Sequence, residues 1–158
     1  MAGTVGSVSR PVDIETNVEL AAPPEAVWPY LVDWERLGLW MEEASNFRVI
    51  ASQREGVGVE ARATVRIGGI TTVDTIRVSR WEPPEWLEIQ HMGWVKGSGL
   101  MHCRPTVGGS YLWWRERLLP PWGWIGWLGV RVLRPLMRRT FQRDLALLKE
   151  LVEGERPR

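Results

Sequence analysis

The chain has 158 residues, 20 Lys plus Arg against 19 Asp plus Glu, a formal net charge of +1 and one cysteine. That length suits one domain, since domains run to roughly 100–200 residues, and the balanced charge supplies no global field for nucleic acid or an anionic bilayer. A lone Cys103 excludes an internal disulfide framework and fits a reducing compartment, and no stretch reaches the roughly 18 apolar residues of a spanning helix or resembles a signal peptide, so a cytoplasmic location is expected.

Residues 1–11 are small and aperiodic and read as a flexible leader. Val12 to Leu20 alternates apolar and polar at period two, the pattern of a half-buried strand. Pro23, Pro24 and Glu25 open a short helix with Ala26, Val27, Tyr30 and Leu31 on one face, and Pro29 is a candidate kink. Asp33 is placed to cap a second short helix over Glu35 to Trp40.

From Asn46 to Leu118 the pattern predicts five or six strands. They are separated by turn signals at Glu55-Gly56, Gly68-Gly69, Pro83-Pro84, Lys96-Gly97-Ser98-Gly99 and Gly108-Gly109. The clearest strand puts Val57, Val59, Ala61, Ala63, Val65 and Ile67 on one face, with Glu60, Arg62, Thr64 and Arg66 on the other. After Pro120-Pro121, Val130, Leu133, Met137, Phe141, Leu145 and Leu148 recur at three- and four-residue steps and predict one long amphipathic helix from Trp124 to Val152. Its other side carries Arg131, Arg134, Arg138, Arg139 and Arg143, and Pro135 is a candidate bend. A tail over 153–158 is expected to fray.

The expected fold class is α+β: a curved antiparallel sheet of six to seven strands around a long C-terminal helix, with two short helices after strand one. The apolar face of such a sheet is far wider than a helix of about 10–12 Å diameter can cover. The sheet must curl, or a cavity must remain.

Several stretches resemble the polyketide cyclase/dehydrase and lipid transport group of the START-like (SRPBCC, birch-pollen-allergen-like) superfamily. They are Val18 to Trp28, Val78 to Leu87, Gly108-Gly109-Ser110 leading into Trp114-Arg115-Glu116, and the closing segment Leu133-Arg134-Pro135-Leu136 through Phe141, Asp144-Leu145 and Leu148-Lys149. The similarity runs from about residue 12 to 152. It implies a single helix-grip domain and a role among carriers of lipids and hormones, aromatase/cyclases and other ring-forming enzymes. It brings no shared catalytic signature that transfers residue by residue.

The candidate catalytic residues are Glu116 and His91. In the last strand Ser110, Leu112, Trp114 and Glu116 share one face, and placing Leu112 and Trp114 inward turns Glu116 toward an apolar interior. There it is a candidate general acid or base, the plainer alternative being a solvated or salt-bridged acid at the strand end. His91 shares a face with Leu87 and Ile89 and is either a polar point in a pocket or a hydrogen-bonded core residue. With two histidines and no acid cluster at ligand spacing, neither a metal site nor a cofactor is expected.

The 11 Trp against two Phe and two Tyr supply large planes suited to cavity walls, interfaces and membrane boundaries alike. Candidate ligand contacts are Trp28 and Trp40 from the short helices, then Val59, Ala61, Ala63 and Val65 from the clearest strand. Ile89, Met101, Cys103, Leu112 and Trp114 follow from later strands. Trp124 and Trp127 come from the tract 120–129, and Leu133, Met137 and Phe141 from the long helix. That tract either roofs the cavity or touches a bilayer beside the arginine stripe.

Three readings follow. The first is carriage of an apolar small molecule of lipid, polyketide or fused-ring type. The second is a cyclase or dehydratase in which Glu116 or His91 shuttles protons. The third is lipid transfer with transient membrane contact through the Trp-rich tract. No nucleic-acid partner is expected.

Overall fold

The computed structural model describes residues 10–154; most of the expected leader, and positions 155–158 of the expected tail, lie outside that range. Strand β1 (Val12–Leu20) buries Val12, Ile14, Thr16 and Leu20 at its alternating pattern. Two prolines follow, where no backbone N–H is needed, and helix α1 (Pro24–Val32) buries Val27 and Leu31 one turn apart. Pro29 lies inside α1.

The expected second helix is only a single 3₁₀ turn, Leu37–Leu39. Asp33 does not cap it: its backbone N–H bonds back to Pro29 O and closes α1. Gly38 at the centre of so short a segment leaves little to hold a longer helix.

Six strands then follow: β2 (Ala44–Val49), β3 (Glu60–Ile67), β4 (Ile70–Glu82), β5 (Trp86–His91), β6 (Lys96–Thr106) and β7 (Gly109–Leu119). Helix α2 spans Gly123–Gly154 with Pro135 inside it. All neighbouring strands are antiparallel, in the order β1-β7-β6-β5-β4-β3-β2. The meander is continuous, and β1 pairs with the last strand along its whole length, from Val12↔Leu118 to Leu20↔Ser110.

Two boundaries differ from expectation for a physical reason. Val57 is 60% exposed in the loop before β3, because Gly56 and Gly58 hold positive φ there and turn the chain before the strand begins. Lys96 to Gly99 is strand, not turn; the bend falls just before it, between His91 and Lys96.

Seven strands about 4.8 Å apart span roughly 29 Å, against about 10 Å for one helix. Helix α2 meets this mismatch by lying close to β1 and away from β3 and β4. Three polar ties hold it there: Arg134 Nε donates to Asp13 O at 2.9 Å, Lys149 Nζ donates to Glu19 O at 2.7 Å, and Ala21 N donates to Glu153 Oε1 at 2.8 Å. The result is a helix-grip arrangement, packed solid at one end and hollow at the other.

Candidate functional site: an apolar cavity with an acidic wall

The hollow end is a cavity of about 460 Å³, within the roughly 300–1,000 Å³ typical of small-molecule sites. Among the residues proposed from sequence, Ala63, Val65, Ile89, Met101 and Trp114 line it from the sheet, and Leu133, Met137 and Phe141 line it from α2. Trp34, also buried, adds to the wall and anchors its indole N–H on Arg54 O at 3.0 Å.

The remaining proposed contacts stand outside the wall. Val59, Ala61, Cys103 and Leu112 are at most 1% exposed. They share the inward faces of their strands with the cavity residues but fall within the solid core. A period-two face continues past the point where the hollow ends, so parity alone cannot find that end. Burial pushes the Cys103 thiol up, which fits a small hydrophobe better than a nucleophile.

Trp40 sits behind the wall, edge-on to Trp114 at 6.2 Å, with its N–H on Tyr30 O at 3.1 Å. Trp28 packs against Trp81 at 5.3 Å. Trp124 is 73% exposed and Trp127 lies under the Arg131 guanidinium, so neither roofs the cavity. The ring pair at the mouth is Trp94 with Trp122, T-shaped at 5.0 Å. Trp122 has φ +63, a left-handed conformation that turns the chain sharply just before α2.

A polar cluster interrupts this lining at His91. His91 Nε2 donates to Glu116 Oε2 at 2.9 Å, and His91 Nδ1 donates to Asp74 Oδ2 at 2.6 Å. The outer oxygens are occupied as well: Trp114 Nε1 donates to Glu116 Oε1 at 2.7 Å, and Gly93 N donates to Asp74 Oδ1 at 2.9 Å. Burial opposes a charge on the ring, yet the Coulombic pull of Glu116 and hydrogen bonds to both carboxylates outweigh it and raise His91 to about 10. His91 is therefore an imidazolium at neutral pH, with both nitrogens engaged.

The backbone explains how three strands deliver these groups to one place. His91 on β5 faces Gly97 on β6, and Glu116 on β7 faces Gly99. The absent side chain of Gly99 leaves room for the Glu116 carboxyl to reach His91 across β6, and that of Gly97 lets the β7 backbone approach. A Cβ on Gly99 would stand 2.5 Å from Glu116 Oε1, and one on Gly97 would strike the Arg117 carbonyl oxygen.

Asp74 was not singled out from sequence. Its signal is parity: it lies two residues before the buried Ile76 and four before the buried Val78, so it belongs to the inward face. A second acid pair was also missed. Asp144 is fully buried on α2 and lies against Glu43 in the cavity wall. Arg77, by contrast, turns outward to Glu60, and His102 stacks on Trp86 outside the sheet at 3.7 Å.

A family model described as polyketide cyclase / dehydrase and lipid transport matches residues 11–153. An uncharacterized protein of Mycobacterium tuberculosis is 28% identical over 103 residues, covering 63% of this chain and 71% of its own length. TTHA0849 from Thermus thermophilus superposes with a TM-score of 0.79 at 19% identity, over 92% of this chain and 100% of that one. The Zhui aromatase/cyclase from Streptomyces sp. R1128 does so with 0.66 at 17% identity, over 92% and 93%. At such identities the structural likenesses speak to the fold. The match along nearly the whole chain places this protein in the polyketide cyclase/dehydrase and lipid transport family.

Proposed function

We propose that the protein binds and carries one apolar small molecule in the cavity between β3–β7 and α2. The observation that carries this reading is the cavity itself, about 460 Å³ and walled almost wholly by hydrocarbon and indole surface. Burying such a ligand is worth roughly 25 cal/mol per Å² of apolar area removed from water, and the wall polar groups fix its orientation.

A ring-forming enzyme would need a wall group that exchanges a proton near neutrality. His91 is charged and bonded at both nitrogens, which argues for a fixed structural charge and against a shuttle. That weighs toward carriage over catalysis. Native mass spectrometry of the purified protein tests the reading: a noncovalent adduct that organic extraction removes and identifies as an apolar compound is expected. An adduct consisting of a nucleotide or sugar would contradict it.

One observation favours membrane contact as a second reading. Trp122, Trp124 and Ile125 are 58–73% exposed, and Ile70, Val73 and Trp94 across the mouth are 48–55% exposed. An apolar rim around a cavity entrance, with Arg138 and Arg139 on the same helix, is the pattern of a surface that loads from a bilayer. No helix among the described residues is long and apolar enough to cross one. Flotation with vesicles of mixed neutral and anionic lipid is expected to carry the parent protein and to lose the double variant Trp122→Ser, Trp124→Ser. Equal flotation of both would remove the rim from the mechanism.

A further inference from the structure

Asp144 occupies a position where the stripe of α2 calls for a hydrophobe, three residues after Phe141 and four before Leu148, and it is fully buried. Its Oδ1 accepts the Glu42 N–H at 3.0 Å, but its Oδ2 has no donor. The neighbouring Glu43 has a buried Oε2 in the same condition. Two buried carboxylates in contact cannot both be ionised cheaply, and a single proton between Oε2 and Oδ2 satisfies both oxygens. Burial first, then the contact with Asp144, pushes Glu43 up to about 10. The other charged groups nearby are Glu116, which adds to that rise, and the Glu42–Arg143 pair at 3.4 Å.

Glu43 belongs to the cavity wall while Asp144 stands behind it. With the shared proton directed at Asp144, Oε1 is the oxygen Glu43 can turn to a ligand; beside the contact its own backbone N–H makes with the carboxyl, it keeps a second lone pair as a neutral acceptor. An acceptor in an apolar wall selects a donor. The same wall carries the carboxylates Asp74 and Glu116 with one imidazolium, His91, between them, a net negative charge that repels an anionic ligand.

We propose that the Glu43 carboxyl, backed by Asp144, is the anchor for a hydroxyl group of the ligand, which makes that ligand an apolar alcohol or phenol rather than a bare hydrocarbon or a fatty acid. This rests on the reading that the cavity holds an apolar molecule. It adds the polar group such a molecule must carry.

The test measures the affinities of naphthalene, 2-naphthol and 2-naphthoate for the parent protein, Glu43→Gln and Glu43→Leu at neutral pH. In the parent, 2-naphthol is expected to bind on the order of tenfold more tightly than naphthalene, the effect of one buried hydrogen bond, and 2-naphthoate most weakly. Glu43→Gln keeps the preference, because its amide donates to Asp144 and still offers an oxygen. Glu43→Leu binds naphthalene, which shows that it is folded, and loses the preference for 2-naphthol. A preference absent from the parent, or unchanged in Glu43→Leu, overturns the anchor and leaves the cavity reading intact. Failure of naphthalene and 2-naphthol alike to bind the parent overturns both. Infrared spectroscopy gives an independent readout: a protonated-carboxyl band present in the parent and lost in Glu43→Gln is expected, and a parent without that band contradicts the shared proton.

Discussion

His91 gains its charge from two neighbours and returns rigidity to both. The ring joins β4, β5 and β7 through Asp74 and Glu116, and removing it would strand the buried Glu116 carboxylate and the half-buried one of Asp74. His91→Gln is therefore expected to cost about 3–5 kcal/mol at pH 6, as breaking a buried pair does. Because the folded-state value is raised from 6.5 to about 10, this stabilisation is complete below about 6.5 and is lost as pH rises through 10. Denaturant midpoints of parent and variant should converge across that window; a gap that stays constant would mean a neutral His91. The inward turn of Glu116 was legible from parity with Leu112 and Trp114. Asp74 and Asp144 were not, because each stands on a face defined by other residues and is chemically opposite to what that face requires. Reading them needs the face to be taken as the rule and the acid as the exception.

Among the elements, β6 best shows why composition misled. Lys96-Gly97-Ser98-Gly99 carries the glycines of a turn, yet Gly97, Ser98 and Gly99 pair with both β5 and β7 as strand, and Lys96 pairs with β7. The glycines serve close approach rather than bending, since the Glu116 carboxyl occupies the space a side chain on Gly99 would fill. Gly99→Ala is expected to destabilise by about 1–3 kcal/mol through overpacking, and to cost less in a Glu116→Ala background, although Glu116→Ala is itself destabilising because it removes the partner of His91. A double-mutant cycle measures the coupling; strictly additive losses would show that the two positions do not share space. β1, β7 and α2 were legible because an alternating strand and a three-four helical stripe each have one solution. The 3₁₀ turn was not, because three residues carry too little periodicity to separate it from a helix.

At the scale of the molecule, one helix cannot cover a seven-stranded sheet, and the polar ties of α2 to β1 decide which side goes uncovered. The hollow beside β3, β4 and β5 is the consequence. Its existence could be argued from sequence by comparing widths, whereas its end could not, since Val59, Ala61, Cys103 and Leu112 look like cavity residues until the packing around them is seen. The tryptophans divide in the same way. Trp34 and Trp114 build walls, Trp40 supports them, and Trp94 and Trp122 guard the mouth. Whether this hollow takes an apolar guest is read from a methyl-detected NMR titration with naphthalene. Saturable shifts are expected at Val65, Ile89, Met101, Leu133 and Met137, abolished by the space-filling Ala63→Phe. Shifts confined to the exposed side chains Leu128, Val132 and Leu136, which lie outside the cavity wall, and unaffected by Ala63→Phe, would contradict it.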